Sequence, residues 1–130
     1  MIITELIWEE TLMANELRAS LRLQASNGNF NFLKNVQSIN ADQTTEGGGG
    51  PGTVSVATSE QTEDMTGYGY CYIRNLDGTN FVRLGFTTGV YNIRLRPAGL
   101  PMLIELEAAQ TLYLLADTAA CNVEIIGLNL

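Results

Sequence analysis

Residues 69–86 constrain the fold of this chain more than any other stretch. They read Gly-Tyr-Cys-Tyr-Ile-Arg-Asn-Leu-Asp-Gly-Thr-Asn-Phe-Val-Arg-Leu-Gly-Phe, and side chains alternate in character on both sides of Asp77-Gly78. An Asp-Gly pair between two β-rich runs is among the strongest short-range signals for a hairpin. The pattern therefore predicts two strands, at 70–75 and 80–86, joined by a tight turn.

Further short runs of the same kind continue to the end of the sequence. Turns rich in Gly, Pro and Asp-Thr separate runs at 90–96, 102–107, 111–116 and 121–128. With the upstream runs this gives about nine short strands and no convincing helix, which predicts an all-β, antiparallel β-sandwich with a jelly roll as one possible topology. Alternation assigns the following side chains to the core: Cys71, Ile73, Val82, Leu84, Phe86, Tyr91, Ile93, Leu95, Met102, Ile104, Leu106, Leu112, Leu114, Val123 and Ile125.

The first half of the chain is less regular. Residues 16–25 alternate apolar and polar side chains, which indicates a half-buried strand, and a second short strand follows Asn27-Gly28. Residues 60–66 are polar and predict a loop. We expect an N-terminal arm at 1–15 and one sandwich domain at 16–130, with a flexible glycine-rich loop at 40–53 because consecutive glycines have no preferred backbone conformation.

Charge excludes some partners. The 130 residues carry a formal net charge of −7, and the arginines are scattered rather than clustered in sequence. Nucleic-acid binding needs a basic surface, and so does binding to an anionic membrane, so neither partner is expected. No apolar run is long enough for a membrane span, and the N-terminus does not resemble a secretory signal. Synthesis in a cytoplasm is the expectation, with Cys71 and Cys121 as buried free thiols.

The sequence contains few residues or motifs that could carry out catalysis. It has no histidine, and no serine lies in a Gly-x-Ser-x-Gly turn, so the usual nucleophile–base pairs are missing. Glu105 and Glu107 share a strand face, but a charge ladder with Arg94 and Arg96 on the preceding strand explains them better than acid–base catalysis. We expect no enzyme activity, no metal and no cofactor.

The candidate contact residues are those that a self-contained core explains poorly. Trp is enriched at interface hot spots, and long loops are often functional. The candidates are Ile3, Leu6 and Trp8 in the arm, Gly48 and Gly49 in the glycine-rich loop, and the aromatic row Tyr68, Tyr70 and Tyr72. An exposed tyrosine row also fits a carbohydrate-binding module, which stays an alternative.

The second half of the chain resembles small virion proteins of tailed bacteriophages. The likeness rests on residues 72–85, on the leucine–basic–proline–glycine turn at 95–99, and on the closing strands at 112–116 and 123–128. It covers residues 68–130 and consists of strand and turn patterning. The polyglycine stretch departs from the pattern.

The resemblance implies a small β-sandwich subunit of a virus particle, most like a capsid cement or decoration protein. Such a protein would be assembled in the host cytoplasm, reside in the virion, form a homo-oligomer with a trimer favoured, and bind the major capsid protein or other virion proteins. By binding only the assembled shell it would stabilise that state. A head–tail connector or tail-associated protein, which would close into a ring, is the nearest alternative.

Overall fold

The computed structural model describes residues 16–43 and 47–129, and the predicted arm at 1–15 lies outside them. The described residues form ten β-strands, and they include no helix that could cross a membrane. The strands are β1 Leu17–Asn27, β2 Phe30–Ala41, β3 Gly48–Val56, β4 Gln61–Asp64, β5 Tyr70–Asn75, β6 Val82–Gly85, β7 Ile93–Leu95, β8 Met102–Glu105, β9 Thr111–Ala116 and β10 Cys121–Leu128.

The chain divides into two compact units, 1–44 and 45–130, whereas the sequence analysis assigned 16–130 to one domain. The described part of the first unit is a long antiparallel ribbon of β1 and β2. Its turn uses Gly28 at a φ of 59°, a left-handed conformation that glycine adopts without strain. The strand expected at 16–25 is confirmed, but it is largely exposed and not half-buried as predicted, and β2 is much longer than the alternation at 30–32 indicated.

The second unit is an eight-stranded jelly roll. One sheet has the order β3-β10-β5-β8 and the other has the order β4-β9-β6-β7. The pairs β3–β10, β4–β9, β5–β8 and β6–β7 are antiparallel, so the segment from β3 to β10 is one long hairpin of paired strands rolled into two sheets. The predicted antiparallel β-sandwich is therefore confirmed, and its topology is the jelly roll.

The core lies between the two sheets and follows the predicted alternation closely. Of the expected inward side chains, Cys71, Ile73, Val82, Leu84, Leu95, Leu112, Leu114, Val123 and Ile125 are buried. Ile93, Met102, Ile104 and Leu106 pack against this cluster and are partly buried. Phe86 and Tyr91 were assigned wrongly. Phe86 is 41% exposed because β6 ends at Gly85 and the alternation ends there too. Tyr91 is not part of the core cluster, and its hydroxyl donates to Glu60 at the surface. Val56, Met65 and Ala116 belong to the core but were not predicted.

The predicted Asp-Gly hairpin is wrong. β5 belongs to one sheet and β6 to the other, so residues 76–81 cross between sheets instead of turning back along one. Gly78 has no left-handed φ, which a type I′ hairpin turn would require at that position. The Asp77 carboxylate instead accepts hydrogen bonds from the backbone N–H groups of Thr79 and Asn80, at 2.9 and 2.6 Å. These bonds lower the pKa of Asp77, the Asn80 bond most strongly.

Asn75 organises this crossing from inside the core. It is 1% exposed, and its Nδ2 donates hydrogen bonds to the carbonyl oxygens of Asn80 at 2.9 Å and Leu95 at 3.1 Å. Its Oδ1 accepts one from the N–H of Asp77 at 2.9 Å. Burying a polar group without a hydrogen bond costs free energy, so all three of these bonds must form. Because two of them hold residues 77 and 80, the side chain fixes the direction in which the chain leaves β5.

Replacing Asn75 with Ala is expected to lower the free energy of unfolding by about 3 kcal/mol, because buried backbone groups would lose their partners. Asn92 is exposed, so Asn92→Ala serves as the control, with an expected change of about 0.5 kcal/mol or less. Urea denaturation of both variants measures the difference. Equal effects would contradict an organising role for Asn75.

Two other strands replace expected loops. Residues 61–64 form β4 and pair with β9, although their polar composition predicted a loop. Residues 48–53 lie in β3 rather than in the loop expected at 40–53. The glycines suit this strand because a Cβ atom on Gly50 would lie 2.7 Å from the backbone nitrogen of Gly127, where the β3–β10 register shifts. Glycine in a strand often marks such a bulge or close backbone approach.

Both cysteines are buried free thiols, as predicted. Cys71 lies opposite Gly127, six positions along β10 from Cys121, which places the two about 20 Å apart by strand rise and excludes a disulfide. Burial raises the pKa of Cys71 to about 11 and also raises the pKa of Cys121.

Glu60 joins two loops at the surface of the jelly roll. Its carboxylate accepts hydrogen bonds from the Thr88 hydroxyl at 2.6 Å, from the Gly89 N–H at 2.7 Å, and from the Tyr91 hydroxyl. The bond from Thr88 contributes most to lowering the pKa of Glu60, followed by the bonds from Tyr91 and Gly89. The same carboxylate raises the pKa of Tyr91.

This contact makes part of the stability pH-dependent. The folded pKa of Glu60 lies below the ordinary carboxyl value of about 4.3, so its contribution is complete above that value and is lost as the pH falls through the lowered pKa. We expect the difference in Tm between the wild type and Glu60→Gln to be largest at neutral pH and to shrink in acid. A difference independent of pH would contradict this assignment. Asp64 and Asp77 also have lowered pKa values, but both are present in the wild type and in Glu60→Gln, so their effects cancel in the Tm difference.

Candidate protein interface

The β1–β2 ribbon presents an apolar face that no described residue of its unit covers. Cross-strand partners in β1 and β2 point to the same side of the ribbon, and the register places most of the large apolar side chains on one side. We call this the apolar ribbon face; its members are Leu17, Ala19, Leu21, Leu23, Ala25, Phe30, Phe32, Val36, Ile39 and Ala41. Leu21 is 61% exposed and Ile39 is 59% exposed.

A register shift keeps this face continuous. Between Ala19 and Leu21, β1 advances by two residues, while β2 advances by three from Val36 to Ile39. The extra residue is a β-bulge, and it returns Ile39 to the same side of the ribbon as Val36. Alternation alone would place Val36 and Ile39 on opposite sides, which is why the sequence did not reveal β2 as an apolar strand.

The opposite side of the ribbon has a different character. Arg22, Gln24 and Asn31 lie there, and Arg22 donates a hydrogen bond to Gln24 at 3.2 Å. Leu33 is the exception, an exposed leucine paired with Gln24 on this polar side. On the apolar ribbon face Lys34 is the one charged residue. The ribbon thus has one apolar and one polar side, as antiparallel strands do when one side packs on a core and the other faces water.

Such a ribbon needs a further packing surface in order to be stable. A two-stranded hairpin alone in water is marginally stable at best, and three or more strands or a packing surface are needed for independent stability. Burying each large apolar side chain contributes about 1.5–3 kcal/mol. Covering the exposed leucines, phenylalanines and isoleucine of this face would therefore release several times that free energy. Contiguous apolar patches of this kind mark protein–protein contacts.

The predicted tyrosine row divides in two. Tyr70 and Tyr72 lie on the outer face of β5, beside Leu128 and Ile126 of β10. Tyr68 precedes the strand and packs against the core cluster, where its hydroxyl accepts a hydrogen bond from the Gly50 N–H at 3.0 Å. Three coplanar rings for sugar stacking are therefore not present, because the chain turns between Met65 and Tyr68 before β5 begins.

The remaining candidate contact residues are distributed as follows. Ile3, Leu6 and Trp8 lie outside the described residues. Gly48 and Gly49 belong to β3 and lie opposite Leu128 and Gly127 at the end of β10, with both glycines exposed. Leu128 therefore lies between Gly48 on one neighbouring strand and Tyr70 on the other, so the structure brings these two candidates into one cross-strand row of the same sheet.

The expected charge ladder is also wrong. β7, which carries Arg94, lies in one sheet, and β8, which carries Glu105, lies in the other, so neither pairs with the other. Glu105 instead lies opposite Tyr70. Consecutive strands in sequence are usually neighbours, but the jelly roll separates these two by sending the chain from one sheet to the other.

Among residues 16–43 and 47–129, no group of three or more His, Cys, Asp or Glu side chains is placed to hold a metal ion. Comparisons with protein-family models, with curated proteins and with solved structures give no match to the chain. Among the described residues, the apolar ribbon face is the best-defined candidate site, and its side chains suit contact with another apolar surface.

Proposed function

We propose that this chain is a structural subunit of a bacteriophage particle, a cement or decoration protein that binds and stabilises the assembled capsid shell without catalysis. Copies of the chain associate through the apolar ribbon face into a homo-oligomer, with a trimer favoured. A trimer fits the local threefold positions of an icosahedral shell, and most soluble oligomers are closed and symmetric.

The observation that carries the proposal is the exposed apolar ribbon face. It extends along β1 and β2, strands of 11 and 12 residues, and it carries a single charge at Lys34. Its length suits a contact between extended surfaces, and the scarcity of charge means that few ions need to lose water when it is covered.

The jelly roll of the second unit also suits a structural role in a virus shell. Jelly rolls recur in viral capsid domains, although they also occur in lectins, so fold alone does not assign the function. The likeness of residues 68–130 to small phage virion proteins favours the capsid over the lectin. Binding only the assembled shell would shift the equilibrium toward it by mass action.

Composition analysis of virus particles tests this proposal. Particles of a virus that encodes the chain would be purified, and the copy number of the chain would be measured relative to the major capsid protein by quantitative mass spectrometry. The expected result is a fixed, high ratio of the chain to the major capsid protein, as for a protein that occupies equivalent positions over the whole shell. A copy number equal to one ring would indicate the head–tail connector alternative, and absence of the chain from particles would contradict a virion role.

A further inference from the structure

A cationic cleft lies where the chain passes from β7 to β8. The cleft has a volume of about 610 Å³, and Arg74, Arg94 and Arg96 line it together with Pro97, Leu100 and Pro101. Arg74 comes from one sheet, Arg94 comes from the other, and Arg96 begins the loop between them. The jelly-roll crossing thus brings Arg74 beside Arg94 and Arg96, which lie in a different part of the sequence.

None of these three arginines forms an ion pair within the part of the chain that the structure describes, although Glu124 of β10 lies opposite Arg74. Arg83, by contrast, has the Asp117 carboxylate 3.5 Å away. The chain has 14 acidic residues for 7 basic ones, so three unpaired arginines in one cleft are not explained by the overall charge balance. Like charges gathered in a concave surface focus a positive potential there and attract an anion.

Two of the guanidinium groups are oriented before any ligand arrives. Arg74 Nε donates a hydrogen bond to the carbonyl oxygen of Gly99 at 3.3 Å, which leaves its terminal nitrogens for another acceptor. Arg94 stacks on Phe81, with 4.0 Å between the guanidinium carbon and the ring centroid. A positioned guanidinium loses less conformational entropy when it binds a carboxylate.

The loop that carries Arg96 is also held in place. The Gly99 N–H donates to the Arg96 carbonyl at 3.0 Å, and the Ala98 N–H donates to the Asp77 carbonyl at 2.7 Å. Ala98 has a φ of 45°, a left-handed conformation that alanine rarely adopts, and prolines flank the turn. Strained backbone of this kind persists only where the surroundings fix it, and it is concentrated at binding sites.

The neighbouring surface narrows the choice of ligand. Leu100 lies in the cleft wall and is 84% exposed, the most exposed large apolar side chain described. A ligand that meets both features presents carboxylates to the arginines and an apolar side chain to Leu100. Nucleic acid would meet the arginines, but the net charge of −7 repels a long polyanion.

We propose that this cleft binds an acidic segment of a partner protein, one that carries carboxylates beside an apolar side chain. The site differs in location and chemistry from the apolar ribbon face, and it does not depend on the proposed virion role. The probe for testing it is an acetylated pentapeptide with glutamates on both sides of a central leucine, titrated into the ¹⁵N-labelled full chain and followed by backbone and arginine Nε resonances.

The expected result is saturable shifts at Ala98, Gly99 and Leu100 that weaken as salt is added. Arg96→Gln should weaken binding about three- to tenfold, since charge-assisted hydrogen bonds are lost. Arg22→Gln is the matched control, because it removes the same charge from an arginine on β1 that does not line the cleft; it should change binding less than about twofold.

Several results would overturn the proposal. Equal binding of a peptide with glutamine in place of glutamate would show that carboxylates are not recognised. Equal weakening by Arg22→Gln would show a general charge effect. If inorganic phosphate produced the same shifts with equal affinity, the cleft would be a small-anion site, and tighter binding of a single-stranded oligonucleotide would point to nucleic acid.

Discussion

The double variant Leu21→Asp, Ile39→Asp is expected to be monomeric under conditions in which the wild type is an oligomer. Both side chains lie on the apolar ribbon face, one on each strand, and both are more than half exposed within the chain. Each loses about 1.5–3 kcal/mol of burial in the proposed interface, so association should weaken by at least about a hundredfold. Sedimentation velocity over a range of concentrations measures the effect.

The ribbon offers a control with the same change in net charge. Leu33 and Asn35 lie on the opposite, polar side, next to Gln24 and Arg22. Leu33→Asp with Asn35→Asp should therefore leave the oligomer intact. The thermal unfolding of the jelly roll should be similar in both variants, because the two units are separately compact. If both double variants dissociate equally, or neither does, the apolar ribbon face is not the interface.

Replacing Gly127 with Ala is expected to cause a large loss of stability in the jelly roll. A Cβ atom at this buried position would lie 2.4 Å from Cγ of the Tyr68 ring. The ring would have to leave the core cluster and would lose its hydrogen bond with Gly50. Overpacking of this kind costs about 2–3 kcal/mol, which lowers the Tm of a domain this size by about 10–20 °C.

Two further variants isolate the cause of this effect. Gly78→Ala is the control, because a Cβ there meets open space and the backbone is not left-handed, so the Tm should change little. In a Tyr68→Ala background, Gly127→Ala should cost much less than in the wild type, since the colliding ring is gone. An unchanged cost in that background would place the strain elsewhere.

The sequence predicted most of the jelly-roll core because alternation depends only on local side-chain order. Apolar side chains recur at every second position within each strand, and members of these rows such as Ile73, Leu84 and Val123 are buried as expected. The pairing of strands was not predictable in the same way. Asp77-Gly78 has the composition of a hairpin turn, but the buried side chain of Asn75 and the neighbouring sheets direct the chain across the sandwich, and those contacts are distant in sequence.

The candidate interface and the cleft were likewise only partly predictable from the sequence. The apolar side of β1 was visible by alternation, but the bulge in β2 hid Val36 and Ile39 as members of the same face. Arg74, Arg94 and Arg96 are separated by up to 22 positions in sequence, and only the crossing between sheets brings them together. Both surfaces depend on three-dimensional register, which composition and periodicity do not encode.

The absolute mass of the wild-type chain in solution tests the central claim most directly. Light scattering coupled to size-exclusion chromatography would measure it over a range of concentrations. We predict a stable species at three times the chain mass of 14.2 kDa, with the apolar ribbon face buried between copies. A species that stays at the mass of one chain at every concentration would contradict self-association through the ribbon.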